Sequence, residues 1–370
     1  MKEINSLYIH FPFCQHLCNY CDFYKHKLEN EKQVIDFEIF LNKQFEYHQS
    51  YLSQNGYKLG KLETLYIGGG TPSLWKKRGA QFLKSFVERH ENCEFTIEID
   101  PDTWVEGDID RWQEIGVNRF SLGSQAYSEK FLKVMDRTHL LSDVEKSVKY
   151  FSERGLNFSV DLMLGLPGSE GERNIQEELR GLLKYSPSHF SVYILKTRKN
   201  YLLNTSLPSD DYIRGEYLEV SEMLSKNGYN HYEVSNFAKK DKKSKHNIKY
   251  WNYASVAALG PNATGLLVDK DRATRYQWKS ISLGVSEEVL EGSSLIIEKL
   301  FLGLRHKNKF DFFSIFKEEE KLSLIDELLE HWKKLGYIES SSHRHGVDLT
   351  ALGFLMCDSL LDDVFSKISF

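Results

Sequence analysis

The stretch Phe13-Cys-Gln-His-Leu-Cys-Asn-Tyr-Cys-Asp22 places three of the chain's five cysteines close together, directly after a strand-like segment. Thiolates are soft ligands that suit iron–sulfur clusters or zinc, and a tetrahedral zinc site needs a fourth donor. The other two cysteines stand alone in the sequence, so no fourth thiol completes the set. A four-iron cluster held by Cys14, Cys18 and Cys21 would keep one iron free to bind a small molecule. The motif therefore predicts a [4Fe-4S] cluster, with a structural zinc site as the alternative.

Short apolar or β-branched runs recur along the first 200 residues, and longer helical patterns lie between them. Amphipathic segments such as Val34–Leu52 and Ala80–His90 have the spacing of helices. Strands that alternate with helices imply a parallel sheet, and α/β barrels collect their chemistry at the carboxyl ends of the strands. The predicted strands are Leu7–His10, Thr64–Ile67, Phe95–Ile99, Arg119–Leu122, Asn157–Met163 and Phe190–Ile194.

The pattern changes after about residue 200, which divides the chain into three predicted parts. Residues 1–200 form the barrel with the cysteine loop, and 201–295 extend it, beginning with a helix at Asp211–Asn227. Residues 296–370 contain two or three short helices and a small ribbon near Gly336–Val347, which predicts a winged-helix-like lobe. Acidic residues outnumber basic ones in this last part, so its expected role is a structural cap and not DNA binding.

Charge and hydropathy narrow the cellular setting. The formal net charge of −5 argues against a general nucleic-acid-binding surface. No segment has the roughly 20 apolar residues that cross a bilayer, and the first residues lack the apolar core of a signal peptide. Clustered cysteines suit a reducing compartment better than a disulfide scaffold does. We therefore expect a cytoplasmic protein.

A second motif, Gly68-Gly69-Gly70-Thr71-Pro72, follows the second predicted strand. Glycines let the backbone approach a ligand closely, and their amides offer donors to it. Together with Cys-x3-Cys-x2-Cys, this motif resembles the radical S-adenosylmethionine superfamily. Within it, the chain is similar to the branch that contains oxygen-independent coproporphyrinogen III dehydrogenase (HemN) and HemW, along nearly its whole length. The resemblance implies an α/β fold, a partial (β/α)6 barrel with a smaller, mainly helical carboxyl-terminal domain.

The same resemblance implies a set of S-adenosylmethionine contacts. In this superfamily the reduced cluster passes an electron to the sulfonium, which yields a 5′-deoxyadenosyl radical. HemN-like proteins use several of these positions for a second S-adenosylmethionine, so one or two molecules remain as alternatives. Taken singly, an acidic residue at a strand end, an arginine or an aromatic loop residue also has an ordinary structural role. The matching positions are Tyr8, Tyr20, Gly69, Gly70, Thr71, Glu98, Gln125, Arg137 and Asp161.

Two features distinguish the branches of this family. HemN-like enzymes carry a fourth cysteine two residues after the third, whereas this chain has Cys21-Asp22-Phe23, as HemW-like members do. The run His246-Asn-Ile-Lys-Tyr-Trp251 matches a HemW motif associated with heme binding, which implicates His246, Asn247, Tyr250 and Trp251. Neutral imidazole is a common axial heme ligand, and aromatic rings pack along a macrocycle. Thr264 stands where members commonly have a histidine, so no second histidine ligand is expected there.

The sequence therefore favours a HemW-like heme chaperone with three cofactors: a [4Fe-4S] cluster, S-adenosylmethionine and heme. The expected partners are a heme-acceptor protein and an electron donor for the cluster. A homodimer is one alternative for the oligomeric state. The competing hypothesis is radical oxidative decarboxylation of coproporphyrinogen III, which the missing fourth cysteine makes doubtful. Whether the protein is an enzyme stays open at this point.

Overall fold

The computed structural model describes residues 1–197, 201, 203–280, 282–307, 310–339 and 345–368, and strands and helices alternate through the first half. The strands are β1 (Lys2–Phe11), β2 (Phe13–Cys14), β3 (His26–Lys27), β4 (Tyr57–Gly69), β5 (Arg89–Ile99), β6 (Arg119–Gln125), β7 (Phe158–Leu164), β8 (His189–Ile194), β9 (Asn230–Glu233), β10 (Asn236–Ala238), β11 (Ala257–Leu259), β12 (Thr264–Val268), β13 (Arg272–Trp278), β14 (Val285–Glu291), β15 (Phe310–Asp311) and β16 (Gly346–Val347). The helices are α1 (Glu31–Gln54), α2 (Lys76–Leu83), α3 (Glu106–Glu114), α4 (Glu129–Val134), α5 (Leu141–Glu153), α6 (Ile175–Leu183), α7 (Asp210–Lys226), α8 (Lys245–Trp251), α9 (Gly292–Gly303), α10 (Glu319–Lys334), α11 (Ala351–Leu355) and α12 (Cys357–Lys367).

One open sheet organises the barrel, with the strand order β11-β1-β4-β5-β6-β7-β8-β10-β9. Its six central strands are the six predicted from the sequence, and each pairs in parallel with the next. At one edge β11 adds in parallel to β1; at the other edge β10 pairs antiparallel with β8, and β9 pairs antiparallel with β10. Parallel neighbours joined by helices are βα units, so the predicted partial (β/α)6 barrel is confirmed.

The central strands present apolar side chains to the outer helices and polar side chains to the barrel interior. Leu65 and Ile67 of β4 are completely buried and belong to the main apolar core. Side chains alternate between the two faces of a strand, so the residues between them point to the interior. Buried Thr64, Thr96 and Ser121 occupy such positions. The interior is therefore built from hydrogen-bonding groups, and its chemistry differs from that of the outer core.

The helix predictions hold in two cases and are wrong in one. Val34–Leu52 lies within α1, and Asp211–Asn227 matches α7 to within one residue at each end. The predicted helix Ala80–His90 is wrong beyond Leu83, where α2 ends, and Arg89 already belongs to β5. The Arg89 guanidinium donates to the carbonyls of Leu83 and Lys84 at 3.0 and 3.3 Å, which satisfies the end of the helix. Across the described residues, no helix combines the length and the apolar character needed to cross a membrane.

The carboxyl-terminal residues surround a second apolar core, built from α9–α12 and the segment that precedes α10. Trp332 and Leu360 are fully buried there. In the region of the predicted ribbon, β16 pairs with β15 and Ile338 bridges to Leu349. Residues 340–344 of that ribbon lie outside the described residues. The domain boundaries predicted from the sequence remain a proposal, as does the winged-helix-like character of this lobe.

A buried ion-pair network fastens the carboxyl end of β7 to α6 and α7. The Nε and Nη2 atoms of Arg173 donate to Glu178 at 2.7 and 3.0 Å, and its Nη1 atom donates to Glu216 at 3.2 Å. Glu216 also accepts from the amide of Gly165, directly after β7, at 2.9 Å. The Arg173 side chain has no exposed surface. One guanidinium therefore compensates two carboxylates that are withdrawn from solvent.

Replacing Arg173 with Ala should lower the free energy of unfolding by about 3–5 kcal/mol, because both carboxylates stay buried without a counter-charge. Urea unfolding of the purified chain measures the change. The matched control is Arg180→Ala, whose guanidinium donates to Gln176 at 3.1 Å at the exposed surface. That control should change stability by no more than about 0.5 kcal/mol. Equal stability of the two variants would contradict the assignment of Arg173 as a structural anchor.

Candidate functional site

A cavity of about 580 Å³ opens at the carboxyl ends of the central strands. It is lined by the cysteine loop on one side and by strand-end residues on the other. The structure thus brings together the residues predicted to bind the cluster and S-adenosylmethionine, except Tyr8, which lines an adjoining pocket. The predicted residues that line the cavity are Cys14, Cys18, Tyr20, Cys21, Gly69, Gly70, Thr71, Glu98, Gln125, Arg137 and Asp161.

The cysteine loop is held by a short parallel pairing of β2 with β3. Cys14 is buried at the end of β2, whereas Cys18 and Cys21 are half-buried on the loop. Burial raises the pKa of the Cys14 thiol to about 11. Burial also raises the pKa of Cys18, although the guanidinium of Arg137 opposes this rise. Among the described residues, no three His, Cys, Asp or Glu side chains converge on a point that would hold a single metal ion. The three thiols therefore share a cavity without forming a mononuclear site.

Arg137 connects the cysteine loop to the barrel. Its Nη1 atom donates to the Tyr20 hydroxyl at 3.3 Å and lies 3.8 Å from the Cys18 sulfur. Its Nη2 atom is paired with the carboxylate of Asp100, which also accepts from His139 at 3.0 Å. The Arg137 guanidinium and its neighbours hold the pKa of Asp100 at about 2, despite the opposing effect of burial. A positive charge is therefore fixed beside the thiols by a carboxylate that the sequence analysis did not identify.

The glycine motif brings backbone close to the cysteine loop, but its amides are already used. The Gly70 amide donates to Phe11 and the Thr71 amide donates to Phe13, at 2.8 and 2.7 Å. A Cβ atom on Gly70 would lie 2.6 Å from the Phe13 carbonyl oxygen and 3.0 Å from the Cys14 sulfur. These two amides are therefore engaged within the chain, and the contact of Gly69, Gly70 and Thr71 with S-adenosylmethionine stays a prediction. Glycine is required here because no side chain fits between the motif and the cysteine loop.

Two carboxyl groups form the side of the cavity opposite the cysteines. Glu98 accepts from the Tyr66 hydroxyl at 2.9 Å and from the Gly69 amide at 3.0 Å. Asp161 accepts from Ser121 at 3.0 Å and from Ser159 at 3.2 Å. Burial raises the pKa of Glu98 to about 7 and raises the pKa of Asp161 as well. Glu98 therefore exchanges its proton near neutral pH, whereas an exposed glutamate does not.

Gln125 lies at the end of β6 with a φ of +66°, in the left-handed region that residues other than glycine seldom adopt. Such backbone conformations cost on the order of 1 kcal/mol or more and persist where the surrounding structure enforces them. Gln125 lines the cavity in this conformation. The strain is consistent with a position at which the direction of the side chain matters.

An adjoining pocket of about 350 Å³ collects the predicted heme-motif residues His246, Asn247 and Tyr250 together with Tyr8. Three residues line both cavities: Asp22, Phe23 and Tyr66. They form a shared wall between the two. Trp251 is not among the residues that line either cavity, whereas Thr264 borders the smaller one.

His246 is buried and held from two directions. Its Nδ1 atom lies 2.9 Å from the Thr64 hydroxyl, and its amide donates to Glu94 at 2.9 Å. Its Nε2 atom is also buried and has no hydrogen-bond partner among the described residues. Burial lowers the pKa of His246 to about 3, so the imidazole is neutral at physiological pH. The ring thus has one nitrogen engaged and one unengaged, next to the ring of Tyr66 at 5.3 Å between centroids.

Sequence reasoning missed Tyr66, Asp100 and Ser121, which all line the larger cavity. Each was findable from strand alternation. Tyr66 stands two residues before Gly68 in β4, and Asp100 stands two residues after Glu98. Residues two apart in a strand share one face. The signal was therefore present, but no motif distinguished these positions from other polar strand residues.

The raised pKa of Glu98 predicts a pH dependence of stability. The pKa of Glu98 is about 7 in the folded protein, whereas its ordinary value is 4.5. Between these two pH values the folded protein keeps a proton that the unfolded chain has released. Stability therefore falls as the pH rises through this interval. Because the carboxyl borders an open cavity, we expect a loss of about 2 kcal/mol, less than the full shift implies.

Urea unfolding of the metal-free chain between about pH 5 and about pH 8 tests this prediction. The loss should be absent in Glu98→Gln and present in Glu91→Gln, a control at an exposed position of the same strand. Parallel pH profiles for wild type and Glu98→Gln would contradict it.

Comparison with known proteins agrees with this geometry. A model of the radical SAM superfamily matches residues 8–179. The chain is 32% identical, over an alignment of 401 residues, to the heme chaperone HemW of Lactococcus lactis subsp. lactis (strain IL1403), covering 98% of this chain and 99% of that protein. It is 34% identical to the heme chaperone HemW of Escherichia coli (strain K12), covering 72% of this chain and 71% of that protein.

Among solved structures, coproporphyrinogen III oxidase (HemN) from Escherichia coli, a radical SAM enzyme, matches with a TM-score of 0.77. The match covers 99% of this chain and 91% of that one at 17% sequence identity, and this likeness shows the fold. The relatives that match over most of the chain at about one-third identity show the family. The chain belongs to the HemW family of the radical S-adenosylmethionine superfamily.

Proposed function

We propose that this protein is a heme chaperone that holds a [4Fe-4S] cluster, binds S-adenosylmethionine beside it and delivers heme to an acceptor protein. One observation carries the proposal. Two motifs that are more than 200 residues apart in sequence line two adjoining cavities with a common wall. The wall consists of Tyr66 and of Asp22 and Phe23, which directly follow the third cysteine. A cluster site and a heme pocket in this arrangement would respond to one another.

The cysteine loop fits a cluster better than it fits zinc. A four-iron cluster takes each thiolate on a different iron, so its ligands stand farther apart than the ligands of a single ion. This agrees with three thiols that line one cavity without converging on one point. Iron would displace protons that burial otherwise keeps on Cys14 and Cys18. When bound, the cluster supplies the electron for cleavage of a sulfonium, and an external donor must replace that electron.

The remaining cavity residues suit S-adenosylmethionine. Tyr20 presents an aromatic face for an adenine, and the hydrogen bond from Arg137 fixes its ring. Glu98 and Asp161 offer carboxyl oxygens to hydroxyl and ammonium groups from the opposite side. Gln125 adds a side-chain amide. We propose these roles on the basis of residue chemistry and shared location in the cavity.

The smaller pocket suits the edge of a heme macrocycle. Tyr8, Tyr24 and Tyr250 line it with aromatic rings. Phe23 also lines the pocket, and 66% of its surface is exposed. If Nδ1 of His246 donates to Thr64, Nε2 is the nitrogen that has a free electron pair for iron. Nε2 is shielded in this structure, so ligation requires neighbouring side chains to move. Trp251 does not line the pocket in this structure, so its predicted contact with the macrocycle would also require a rearrangement.

Basic residues around α8 fit the propionate groups of heme. The run Lys239-Lys-Asp-Lys-Lys-Ser-Lys245 leads into the helix. Lys249 pairs with Glu63 at 2.5 Å, and the Lys243 ammonium lies 5.3 Å from the centre of the Tyr232 ring. We propose that the exposed lysines of this run attract propionates and that Lys249 anchors the helix. The acceptor protein, the electron donor and a homodimeric state are parts of this proposal, which includes no nucleic-acid partner.

Replacing any one of Cys14, Cys18 or Cys21 with Ala should abolish stable cluster assembly. Two thiolates cannot retain the cluster against exchange, while the barrel core does not depend on them. Iron and acid-labile sulfide analysis after anaerobic reconstitution measures the loss. Cys93→Ala is the matched control, because Cys93 is a buried thiol whose sulfur faces the Glu94 carbonyl. Full cluster content in any of the three variants would remove that cysteine from the ligand set.

Replacing His246 with Ala should weaken heme binding by about 10-fold or more and change the Soret absorption of the complex, if His246 supplies the axial nitrogen. An anaerobic heme titration of cluster-loaded protein, with and without S-adenosylmethionine, measures both effects. His90→Ala, a substitution at an exposed position, should behave like wild type. An unchanged affinity and spectrum in His246→Ala would remove this residue from the heme site.

The competing porphyrinogen reaction is tested directly. The chain has Phe23 where HemN-like enzymes have a fourth cysteine, so we expect no turnover of coproporphyrinogen III. Cluster-loaded protein is incubated anaerobically with coproporphyrinogen, S-adenosylmethionine and a reductant, and the products are separated by chromatography. Catalytic formation of protoporphyrinogen would overturn the chaperone proposal.

A further inference from the structure

Helix α8, which carries the heme motif, contacts the polar interior of the barrel as well as the smaller pocket. The amides of Lys245 and His246 both donate to Glu94 at 2.9 Å, near the middle of β5. His246 Nδ1 contacts Thr64, the residue that pairs with Glu94 in the sheet. Glu94 and Thr64 both stand on the interior faces of their strands, ahead of Glu98 and Tyr66 in chain order. Besides the wall that the two cavities share, the barrel interior therefore offers a second connection between α8 and the larger cavity.

A continuous series of buried hydrogen bonds runs through the barrel interior from Ser244, directly before α8, to Asp161 in the larger cavity. The Ser244 amide donates to the Tyr232 hydroxyl at 3.1 Å, and that hydroxyl lies 2.8 Å from His189 Nε2. His189 Nδ1 lies 2.8 Å from the Ser159 hydroxyl, which donates to Asp161 at 3.2 Å. Ser244, His189 and Ser159 have no appreciable exposed surface. One end is the residue that begins α8, since the Ser244 hydroxyl accepts from the Asn247 amide, and the other end lines the larger cavity.

The Ser244 amide at one end and the Asp161 carboxylate at the other favour one direction of donation along the series. The Ser244 amide can only donate, so the Tyr232 hydroxyl has its own proton available for His189 Nε2. Burial lowers the pKa of His189 well below its usual range, so the ring is neutral and carries a single N–H. With that N–H on Nδ1, it donates to Ser159, whose own proton is then available to the Asp161 carboxylate or to the Ser191 hydroxyl, each 3.2 Å away.

The opposite tautomer leaves the Tyr232 proton without a partner and removes one hydrogen bond to Asp161, which keeps the one from Ser121. With the N–H on Nε2, the Tyr232 proton would lose the only acceptor that the described hydrogen bonds provide. Ser159 would then donate to Nδ1 and would no longer donate to Asp161. A buried polar group without a partner costs about 1–3 kcal/mol, so the Nδ1–H form is strongly favoured.

We propose that His189 is a positioning residue, held in its Nδ1–H tautomer, through which the start of the heme-motif helix and the Asp161 carboxylate are energetically coupled. The coupling rests on the proposed function, since it assumes that S-adenosylmethionine contacts Asp161. A ligand that forms a hydrogen bond or ion pair with Asp161 makes this carboxylate a weaker acceptor for Ser159. Because hydrogen bonds in a series polarise one another, the strength of each further bond in the series changes as well. The response ends at Ser244, the N-cap of α8, so occupation of the larger cavity stabilises this helix.

The tautomer is tested without any ligand. The protein is labelled with nitrogen-15 histidine, purified without its cluster, and studied by two-dimensional NMR that correlates ring protons with ring nitrogens. His189→Gln identifies the His189 signals. We expect protonated Nδ1 and unprotonated Nε2 in the wild type, and a mixture of tautomers in Tyr232→Phe, which removes the donor to Nε2. A wild-type ring with the proton on Nε2 would overturn the proposal.

The coupling is tested by hydrogen exchange of residues 244–252 in cluster-loaded protein, measured by mass spectrometry with and without S-adenosylmethionine. In the wild type, the ligand should slow exchange on the order of 5-fold, at the lower end of typical couplings between sites. Ser159→Ala breaks the chain and should lose this slowing. Ser121→Ala is the matched control: it also removes one hydrogen bond from Asp161 but leaves the hydrogen-bond series intact, so the slowing should persist when S-adenosylmethionine saturates each variant.

Three outcomes separate the two proposals. Equal slowing in Ser159→Ala and Ser121→Ala would overturn the coupling. So would wild-type protein that binds S-adenosylmethionine without any change in α8, and in both cases the proposed function would stand. Wild-type protein that binds no S-adenosylmethionine would defeat the proposed function together with the coupling. The NMR experiment still decides the tautomer of His189 in that case.

Discussion

Alternation of side chains along the parallel strands is the constraint on which the other features depend. One face of each central strand is apolar and packs against helices, as Leu65 and Ile67 do in β4. The other face is polar, so the barrel interior has to satisfy its own hydrogen bonds away from water. Serines, threonines and neutral histidines accomplish this in layers. Two of the interior carboxyl groups, Glu98 and Asp161, lie next to the cavity, where a ligand can meet them.

The cysteine loop depends on this arrangement because the loop itself has little regular structure. Its β2–β3 pairing is only two residues long on each strand. Arg137 provides a further link, since it contacts Tyr20 and lies near Cys18 while Asp100 compensates its charge. The tight approach of Gly70 to the cysteine loop adds a third. The geometry of a cluster site is thus set by the barrel and transmitted to the loop by a few contacts.

The fold and much of the site were predictable from sequence because both have local signatures. The six strands follow from short apolar runs, and the cysteine and glycine motifs follow from their spacing. The predicted helix Ala80–His90 ends early for a tertiary reason. The Arg89 side chain donates to the carbonyl of Leu83 at the end of α2, while the Arg89 backbone pairs with β4 as part of β5. The internal partners of the Gly70 and Thr71 amides were not predictable for a similar reason, because the carbonyls that accept from them belong to Phe11 and Phe13.

The sequence by itself determined the chemistry that is available: three thiols, a glycine-rich turn, strand-end carboxyls and an aromatic motif with one histidine. Only the tertiary structure decided which of these groups meet. It placed Tyr8 with the heme motif and Trp251 away from both cavities, and it made Tyr66 part of a wall between them. It also buried His246 and linked α8 to Asp161 through Ser159 and His189. Local patterns specify elements, whereas such contacts join residues distant in the chain, and these depend on how the strands pair and how the helices pack.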